Sequence, residues 1–325
     1  MDPLISILIP VYNREKYLHQ CLDAVCAQTY QNLEIICIDN VSTDQSLSIL
    51  QKYAQQDTRI RVIAKPVNTG YGDSLNLGIS KAQGDYIGII ESDDWAEPAM
   101  FQSLAEKAIQ YPQADIIRGD FYCYKPTLGL DKPKKSIPQK LADRLFRPLE
   151  EKDVFKMERA IWSGIYKRSF LQKHQIVLND AQGQTFQDTS FTIITWALAE
   201  YVYLFSKPLV HYRQDNDTSS IRQASHVFDI QKDFVYAKQF LAERALPFQA
   251  QINHLKLICY WWNMKRLPID SSCEFIAACT PEIQSLIKNE PIDWGGISFR
   301  VRLRSYLWVW CPSLFIRFWK WYRKK

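Results

Sequence analysis

Short runs of consecutive apolar residues recur through the first part of the chain: LISILIPVY at 4–12, LEIICI at 33–38, a run at 60–64 and YIGII at 86–90. Each is strand-length, and an unbroken apolar run of that size suits a strand buried on both faces. Between them lie stretches of helical character: Glu15 to Gln28, a stretch capped by Ser42 to Asp44 that runs to about Gln55, and 70–82. Strand and helix in alternation predict a parallel α/β sheet. Ligands of such sheets sit beyond the carboxyl ends of the strands. The polar residues of this segment collect there: Asn13 after the first strand, Asp39 and Asn40 after the second, Glu91 to Asp94 after the fourth.

Further on the pattern is mixed. A strand-like DIIRGDFYCY (115–124) precedes a Lys/Pro-rich connector at 125–140, then a helix from Asp188 to Glu200 and a strand within 201–212. From about 226 the reading is mainly helical. A boundary near 222 divides a mixed α/β domain, 1–222, from a helical C-terminal region, 223–325.

Composition narrows the picture. With 325 residues and 47% apolar content the chain can build a large core, and it carries no low-complexity tract or fixed-period repeat. The eight cysteines form no CxxC pair and no zinc spacing, so reduced, packed thiols are expected. No secretory signal pattern opens the chain, which makes the cytosol the expected compartment. The net charge of +5 is unevenly placed: residues 297–325 hold eight Lys or Arg and no acid, leaving the remainder at −3. Basic residues confined to one tail do not suit nucleic acid.

The segment Glu91-Ser92-Asp93-Asp94-Trp95 crowds three carboxylates where the chain leaves a strand. Their repulsion calls for a cation or for hydrogen-bond donors. Hard oxygen ligands suit Mg²⁺ or Mn²⁺ completed by substrate phosphates. The bland alternative is a helix N-terminal cap, for which one acid suffices. The pattern Gly70-Tyr71-Gly72 lacks the third glycine of a dinucleotide fingerprint and follows the third strand, which disfavours a Rossmann dehydrogenase.

SILIPVYN (6–13), IDNVSTDQS (38–46), NTGYGDSLNLGI (68–79), QGDY (83–86) and ESDDW (91–95) together resemble the nucleotide-binding half of family 2 glycosyltransferases of the bacterial surface-polysaccharide type. The resemblance implies a GT-A fold: an α/β, Rossmann-like, mostly parallel central sheet flanked by helices, with 1–95 as donor half and 96–222 as acceptor half. It implies an inverting transfer from a UDP-sugar to a hydroxyl of a lipid-linked or growing cell-surface glycan, with a divalent metal at Asp93, Glu91 and Asp94. Pro10, Tyr12 and Asp39 are then expected on the nucleotide base, Tyr12 against its face and Asp39 accepting from its ring N–H. Asn13, Asn68, Asn76, Glu91, Ser92 and Asp93 complete the expected nucleotide-sugar set. FQDTSF (186–191) resembles the family's Phe-x-Glu-Asp-x-x-Phe segment, which makes Asp188 the catalytic base and puts Gln187 where a Glu is usual; a helix-capping role for Asp188 is compatible with this.

Other departures are Asn40 in place of a second acid and Ser74-Leu75-Asn76 in place of Ala-Arg-Asn, so the arginine expected at 75 near the diphosphate is absent. Asp215 occupies a position where relatives carry a His near the metal, making it a further candidate ligand. His211 reads as a packed strand residue and Arg213 as a holder of phosphate or of a neighbouring loop. Trp95 and Trp162 are candidate acceptor contacts, with core packing an equal reading for Trp162. The tail joins four tryptophans to its eight bases and offers no uncharged run long enough to span a bilayer. Trp308, Trp310, Trp319, Trp321, Arg317 and Lys320 are therefore expected on an anionic membrane surface, placing the protein peripherally on the inner face of the cell membrane. A non-catalytic sugar-nucleotide-binding scaffold and a sugar-phosphate nucleotidyltransferase are the rival readings; the second expects a Gly-rich phosphate loop after the first strand, where the chain has no glycine.

Overall fold

The four early apolar runs pair as parallel strands in the computed structural model, which describes residues 2–180, 185–214 and 228–324. In chain order the elements are β1 (Ile5–Val11), α1 (Glu15–Cys26), β2 (Leu33–Asp39), α2 (Ser46–Gln56), β3 (Ile60–Ala64), α3 (Tyr71–Lys81) and β4 (Tyr86–Ile89). β1 is buried at every position and β2 everywhere but Glu34, as strands covered by helices on both faces require. Leu18, Cys21, Leu22 and Val25 form the buried stripe of α1 at the spacing that seats a helix on a sheet. Asp44 links two helix starts, accepting from the Ser46 N–H through Oδ1 (2.9 Å) and from the Glu15 N–H through Oδ2 (3.1 Å).

The strand order β3-β2-β1-β4 means that the chain winds outward from β1, then returns to its other side. That reversal opens a crevice at the carboxyl ends of β1 and β4. Register places Asp39 beside Val11, and β4 runs parallel to β1 before delivering Glu91 to the crevice.

The sheet continues as β4-β9-β6-β10-β5 through β5 (Trp95–Ala96), β6 (Ile116–Lys125), β9 (Gly164–Lys167) and β10 (Val202–Arg213). β7 (Leu130–Lys134) pairs with β6 and β8 (Arg144–Phe146) with β10. Helices α4 (Met100–Gln110), α5 (Arg168–Lys173) and α6 (Gln187–Leu198) accompany this half. Here the sheet is mixed rather than mostly parallel: β6 and β10 are parallel, but β9 runs antiparallel to both β4 and β6. The Lys/Pro-rich connector of the sequence contains β7, whose LDKPK is an edge strand. Edge strands carry lysine and proline to discourage further pairing, and the same residues mark loops in sequence.

The chain divides into two units, Met1–Asp217 and Thr218–Lys325. The second contains α7 (Asp229–Ala242), α8 (Gln249–Arg266), α9 (Ile269–Asn289), α10 (Phe299–Trp310) and α11 (Pro312–Lys324). Among the described residues no helix is long and apolar enough to cross a membrane. Its core corrects part of the tail expectation. Trp308 and Trp319 are fully buried, packed with Trp261 and Phe315. Each buried indole N–H finds a hydroxyl: Trp308 donates to Thr280 Oγ1 (2.8 Å), Trp319 to Ser272 Oγ (2.9 Å) and Trp261 to Ser305 Oγ (3.1 Å). A buried Trp needs such a partner, so these two residues belong to the core and not to a membrane face. Trp310 and Trp321 stay exposed.

Trp319→Ala is expected to destabilise the helical unit by about 3–5 kcal/mol through the cavity it leaves, whereas Trp310→Ala should change stability by no more than about 0.5 kcal/mol. Denaturant unfolding of both variants followed by far-UV circular dichroism checks this.

Candidate active site

At the ends of β1 and β2 a set of loop bonds fixes a ledge. Asn13 adopts a left-handed backbone (φ 53°), tolerable because its side chain bonds locally: Oδ1 accepts from the Thr43 N–H at 2.8 Å. The Asn13 N–H donates to Ser42 Oγ (3.0 Å), and the Ser42 N–H donates to Asp39 Oδ2 (3.2 Å). The other oxygen, Asp39 Oδ1, is buried and has no hydrogen-bond partner among the described residues. A buried acceptor left open is costly unless a ligand supplies a donor. Tyr12 stands next to it, 46% exposed, while Pro10 is buried within β1. Asn40 Nδ2 donates to Asn68 Oδ1 (2.8 Å) and Asn40 Oδ1 accepts from the Thr69 N–H (3.2 Å), so Asn68 closes the ledge from the β3–α3 loop.

The acidic turn lies across the crevice, and its three carboxylates have separate partners. Glu91 Oε1 accepts from the Tyr71 hydroxyl on α3. Asp94 is buried; Oδ1 accepts from the Arg213 N–H at 2.8 Å, and Oδ2 has no hydrogen-bond partner among the described residues. Asp93 is partly exposed, its Oδ2 3.9 Å from Arg14 Nε. Ser92 is buried between them. Burial pushes the Glu91 carboxyl up, the charges of Asp93 and Asp188 add to this, and the Tyr71 hydroxyl opposes it; the result is about 7. Burial, then Asp93, likewise raises Asp94 well above the carboxylate range. Among the described residues no three His, Cys, Asp or Glu side chains form a ready-made metal cage. The carboxylates of the turn are separately tethered: Tyr71 holds Glu91, the Arg213 N–H holds Asp94 and Arg14 faces Asp93.

Arg213 fixes this turn. Its guanidinium lies over the rings of Tyr17, Trp95 and Tyr124 at 4.7, 5.2 and 4.9 Å, Nε donates to the Asp93 carbonyl (3.0 Å) and Nη2 to Gln20 Oε1 (2.6 Å). It is a positioning residue, not an open phosphate ligand. His211 packs as expected, stacked between Trp95 (4.5 Å) and Tyr122 (4.4 Å), with Nε2 2.6 Å from Glu97 Oε1 and Nδ1 2.9 Å from Asp131 Oδ1.

Asp188 lies in the first turn of α6, behind Phe186 in a left-handed conformation (φ 73°). Burial raises its carboxyl, with the charge of Arg159 opposing. Its charge in turn adds to the upward shifts of Glu91 and Tyr71. The frame is tight. Gln187 Nε2 donates to the Asn179 carbonyl (2.9 Å), and a Cβ on Gly72 would stand 2.2 Å from that same oxygen. Asn76 donates to the Leu178 carbonyl (2.9 Å) and accepts from the Leu178 N–H (2.8 Å). Asn76 is thus corrected from a nucleotide contact to a clamp between α3 and the 176–180 loop.

Trp162 packs as the core reading expects: it is buried, stacked on Tyr212 at 5.1 Å and edge-on to Phe121 at 4.9 Å. Trp95 is partly buried in the His211–Arg213 stack. Asp215 lies outside the described residues. Sequence reasoning missed Tyr71, whose partner is twenty positions away; its one signal is an aromatic at the first turn of a helix bordering the crevice.

Comparison with known proteins agrees with this geometry. The sequence model described as glycosyl transferase family 2 matches residues 6–173. The uncharacterized glycosyltransferase EpsJ of Bacillus subtilis is 32% identical over 221 residues, covering 66% of this chain and 62% of EpsJ. Glycosyltransferase GlyG of Streptococcus pneumoniae is 40% identical over 129 residues, covering 40% of this chain and 42% of GlyG. The match therefore spans less than two thirds of either relative's length. S. aureus TarS 1-349 in complex with UDP-GlcNAc shares the fold, with a TM-score of 0.68 at 17% identity over 98% of this chain and 90% of that one. The mannosyltransferase PcManGT from Pyrobaculum calidifontis, in complex with GDP-Man and Mn²⁺, aligns with a TM-score of 0.56 at 15% identity over 99% of this chain and 87% of that one.

Glu91 yields a pH test of the crowded turn. Its carboxyl rises from 4.5 to about 7 on folding, so between those values the folded state holds a proton that the unfolded state has lost. Stability therefore falls as pH climbs through that window, and the cost is complete above it. Glu91→Gln, which keeps an acceptor for Tyr71, should be more stable than wild type by on the order of 1 kcal/mol at pH 8, with the gain vanishing below pH 4.5. Urea unfolding in EDTA at the two pH extremes measures it; a gain independent of pH would contradict the crowding.

Proposed function

The chain belongs to glycosyl transferase family 2, and from that premise we propose that it moves a sugar from a UDP-sugar to a hydroxyl of a lipid-linked or growing cell-surface glycan, inverting the anomeric centre. The observation that carries the reading is the open, buried Oδ1 of Asp39 beside the exposed ring of Tyr12, one strand from the acidic turn. A uracil ring needs one fixed acceptor for its N–H and an aromatic surface for its face. The UDP-GlcNAc bound to TarS 1-349, a protein of the same fold, supports a uridine donor.

Chemistry follows from where the carboxylates stand. Asp188 accepts the proton of the acceptor hydroxyl as that oxygen attacks the anomeric carbon, and the bond from this carbon to the diphosphate breaks, UDP leaving with its electron pair. Desolvation makes Asp188 a stronger base than a solvated carboxylate. Glu91 and Tyr71, joined by their hydrogen bond, line the donor-sugar side. The acidic turn fits a divalent ion, Mn²⁺ or Mg²⁺, in its donor chemistry: a partly exposed Asp93 and the open Oδ2 of Asp94 are hard oxygens, to be completed by diphosphate oxygens. Such an ion supplies charge stabilisation to the departing diphosphate.

Arg14 answers for the arginine missing at position 75, where Leu75 is core. Lys65 is engaged by Asp73 (2.7 Å), Ser74 (3.2 Å) and Thr69, and Arg213 is caged. Arg14 makes one side-chain hydrogen bond among the described residues, Nη1 to the Asn13 carbonyl (3.2 Å), and its guanidinium borders Asp93. It is the cation placed to meet the diphosphate. A lipid-borne acceptor puts the enzyme on the inner face of the cell membrane as a peripheral protein.

UDP release from a panel of sugar nucleotides, with metal or EDTA, tests the donor reading. One UDP-sugar should be hydrolysed slowly and metal-dependently, Asp93→Ala should abolish this, and Asp188→Asn should lower transfer to an acceptor by about a hundredfold or more. Wild-type transfer should rise with pH through the raised carboxyl of Asp188. Metal-dependent UDP binding with no turnover for any acceptor would favour the scaffold instead. Arg14→Ala should weaken UDP about tenfold (~1.4 kcal/mol) and leave uridine unchanged in calorimetry; equal losses for both ligands would reduce Arg14 to a structural part.

A further inference from the structure

The outer side of α10 carries Phe299, Leu303, Tyr306 and Trp310, spaced four, three and four residues apart. That spacing puts them on one helical face. They are 75, 58, 39 and 65% exposed, while Ser305, Trp308 and Val309 on the opposite side are buried. α11 repeats the division: Phe315 and Trp319 are buried, and Leu314 and Trp321 are each 55% exposed. A run of large apolar side chains along one face is unfavourable in water and marks a surface with a partner.

Charge identifies the partner. Residues 297–325 contain eight Lys or Arg and no acid. Three of these bases are tied inward or along the helices: Arg302 lies over Trp294 and donates to its carbonyl, Arg304 lies over Phe318 and Tyr322, and Arg323 donates to the carbonyls of Met264 and Leu267. Arg300, Arg317 and Lys320 are exposed beside the apolar residues, and Lys288 of α9 sits over the Trp310 ring at 4.8 Å. A basic protein partner is disfavoured by this rim, and an uncharged one leaves it unused. Aromatic residues flanked by lysine and arginine on a helix too short and too charged to span a bilayer are what an anionic lipid interface receives.

We infer that the face formed by Phe299, Leu303, Tyr306 and Trp310, extended by Leu314 and Trp321, docks flat on an anionic phospholipid bilayer, with Arg300, Arg317, Lys320 and Lys288 meeting the headgroups. This deepens the proposed function, resting on its lipid-borne acceptor, and it replaces Trp308 and Trp319 as anchors.

Co-sedimentation of the full chain with phosphatidylcholine vesicles, with and without phosphatidylglycerol, tests it. Binding should require phosphatidylglycerol and weaken in high salt. Phe299→Ser with Trp310→Ser should reduce partitioning at least tenfold, and Trp308→Phe should leave it unchanged. Should the double variant fold poorly by circular dichroism, Arg317→Glu with Lys320→Glu retains the apolar stripe and should remove the preference for anionic lipid. Undiminished binding in the folded double variant and in the charge variant overturns the inference. So does concentration-dependent dimerisation of wild type that the apolar variant loses, since the stripe would then meet a second copy of the chain. UDP-sugar hydrolysis without vesicles reads the active site separately, so a failure of docking and a failure of the glycosyltransferase reading are distinguishable.

Discussion

Glu91, Asp93, Asp94 and Asp188 gather at one crevice, where burial raises the carboxyls of Glu91, Asp94 and Asp188 and mutual repulsion adds to the rise of Glu91 and Asp94. Arg213 makes it tolerable. It donates through its backbone to Asp94 and through its side chain to the Asp93 carbonyl, while three aromatic rings and Gln20 immobilise the guanidinium. Because Arg213 ends β10, Tyr17 belongs to α1 and Trp95 to β5, one side chain ties the first helix, the acidic turn and the last strand of the sheet together. Removing this side chain would release the Asp93 carbonyl, Gln20 and three rings at once and take a positive charge from near Asp94, so the geometry of the turn depends on that residue.

Much of this architecture was legible in the chain. Parallel strands covered on both faces read as continuous apolar runs, so β1 to β4 and the helices between them stand where periodicity puts them, and the crevice follows from strand order. β7 and β9 were not legible. Their residues, LDKPK and GIYK, are short and pair with strands distant in sequence, so nothing local distinguishes them from loops. Within the site, the position of Asp39 was readable because it ends a strand and that of Tyr12 because it follows one, whereas the contacts of Asn76 and Tyr71 depend on partners 102 and 20 residues away. Composition treated the four tail tryptophans alike. Only packing separates them, because a hydroxyl within reach of an indole N–H, as Thr280 is for Trp308, decides which ring can be buried.

The helical unit and the crevice solve opposite problems with similar means. In the unit, indole N–H groups are satisfied so that aromatic rings can be buried; at the crevice, one carboxylate oxygen of Asp39 and one of Asp94 are left unsatisfied. Three indole donors in the unit's core all have hydroxyl partners. The open oxygens of Asp39 and Asp94 stand in contrast to those satisfied indoles. They lie where a ligand brings its own donors or cations, which is what a pre-organised polar site requires.

The departures from the family pattern become intelligible as one charge adjustment. Relative to that pattern the chain lacks an arginine at Leu75 and two acids, at Asn40 and Gln187. Losing the arginine alone would leave a crowded set of carboxylates with less positive charge, raising the cost of ionising each of them. Replacing both acids with amides relieves that crowding without losing the hydrogen bonds. Asn40 still ties the β2 end to Asn68 and Thr69, and Gln187 anchors the start of α6 to the Asn179 carbonyl, a contact in which a carboxylate could only repel. The anchor also explains Gly72: the Asn179 carbonyl approaches so closely that no side chain fits beneath it. Through Gly72, Asn76 and Gln187, helix α3 and the start of α6 form one frame, so that Asp188, the proposed base, and the Tyr71–Glu91 pair are held by the same contacts.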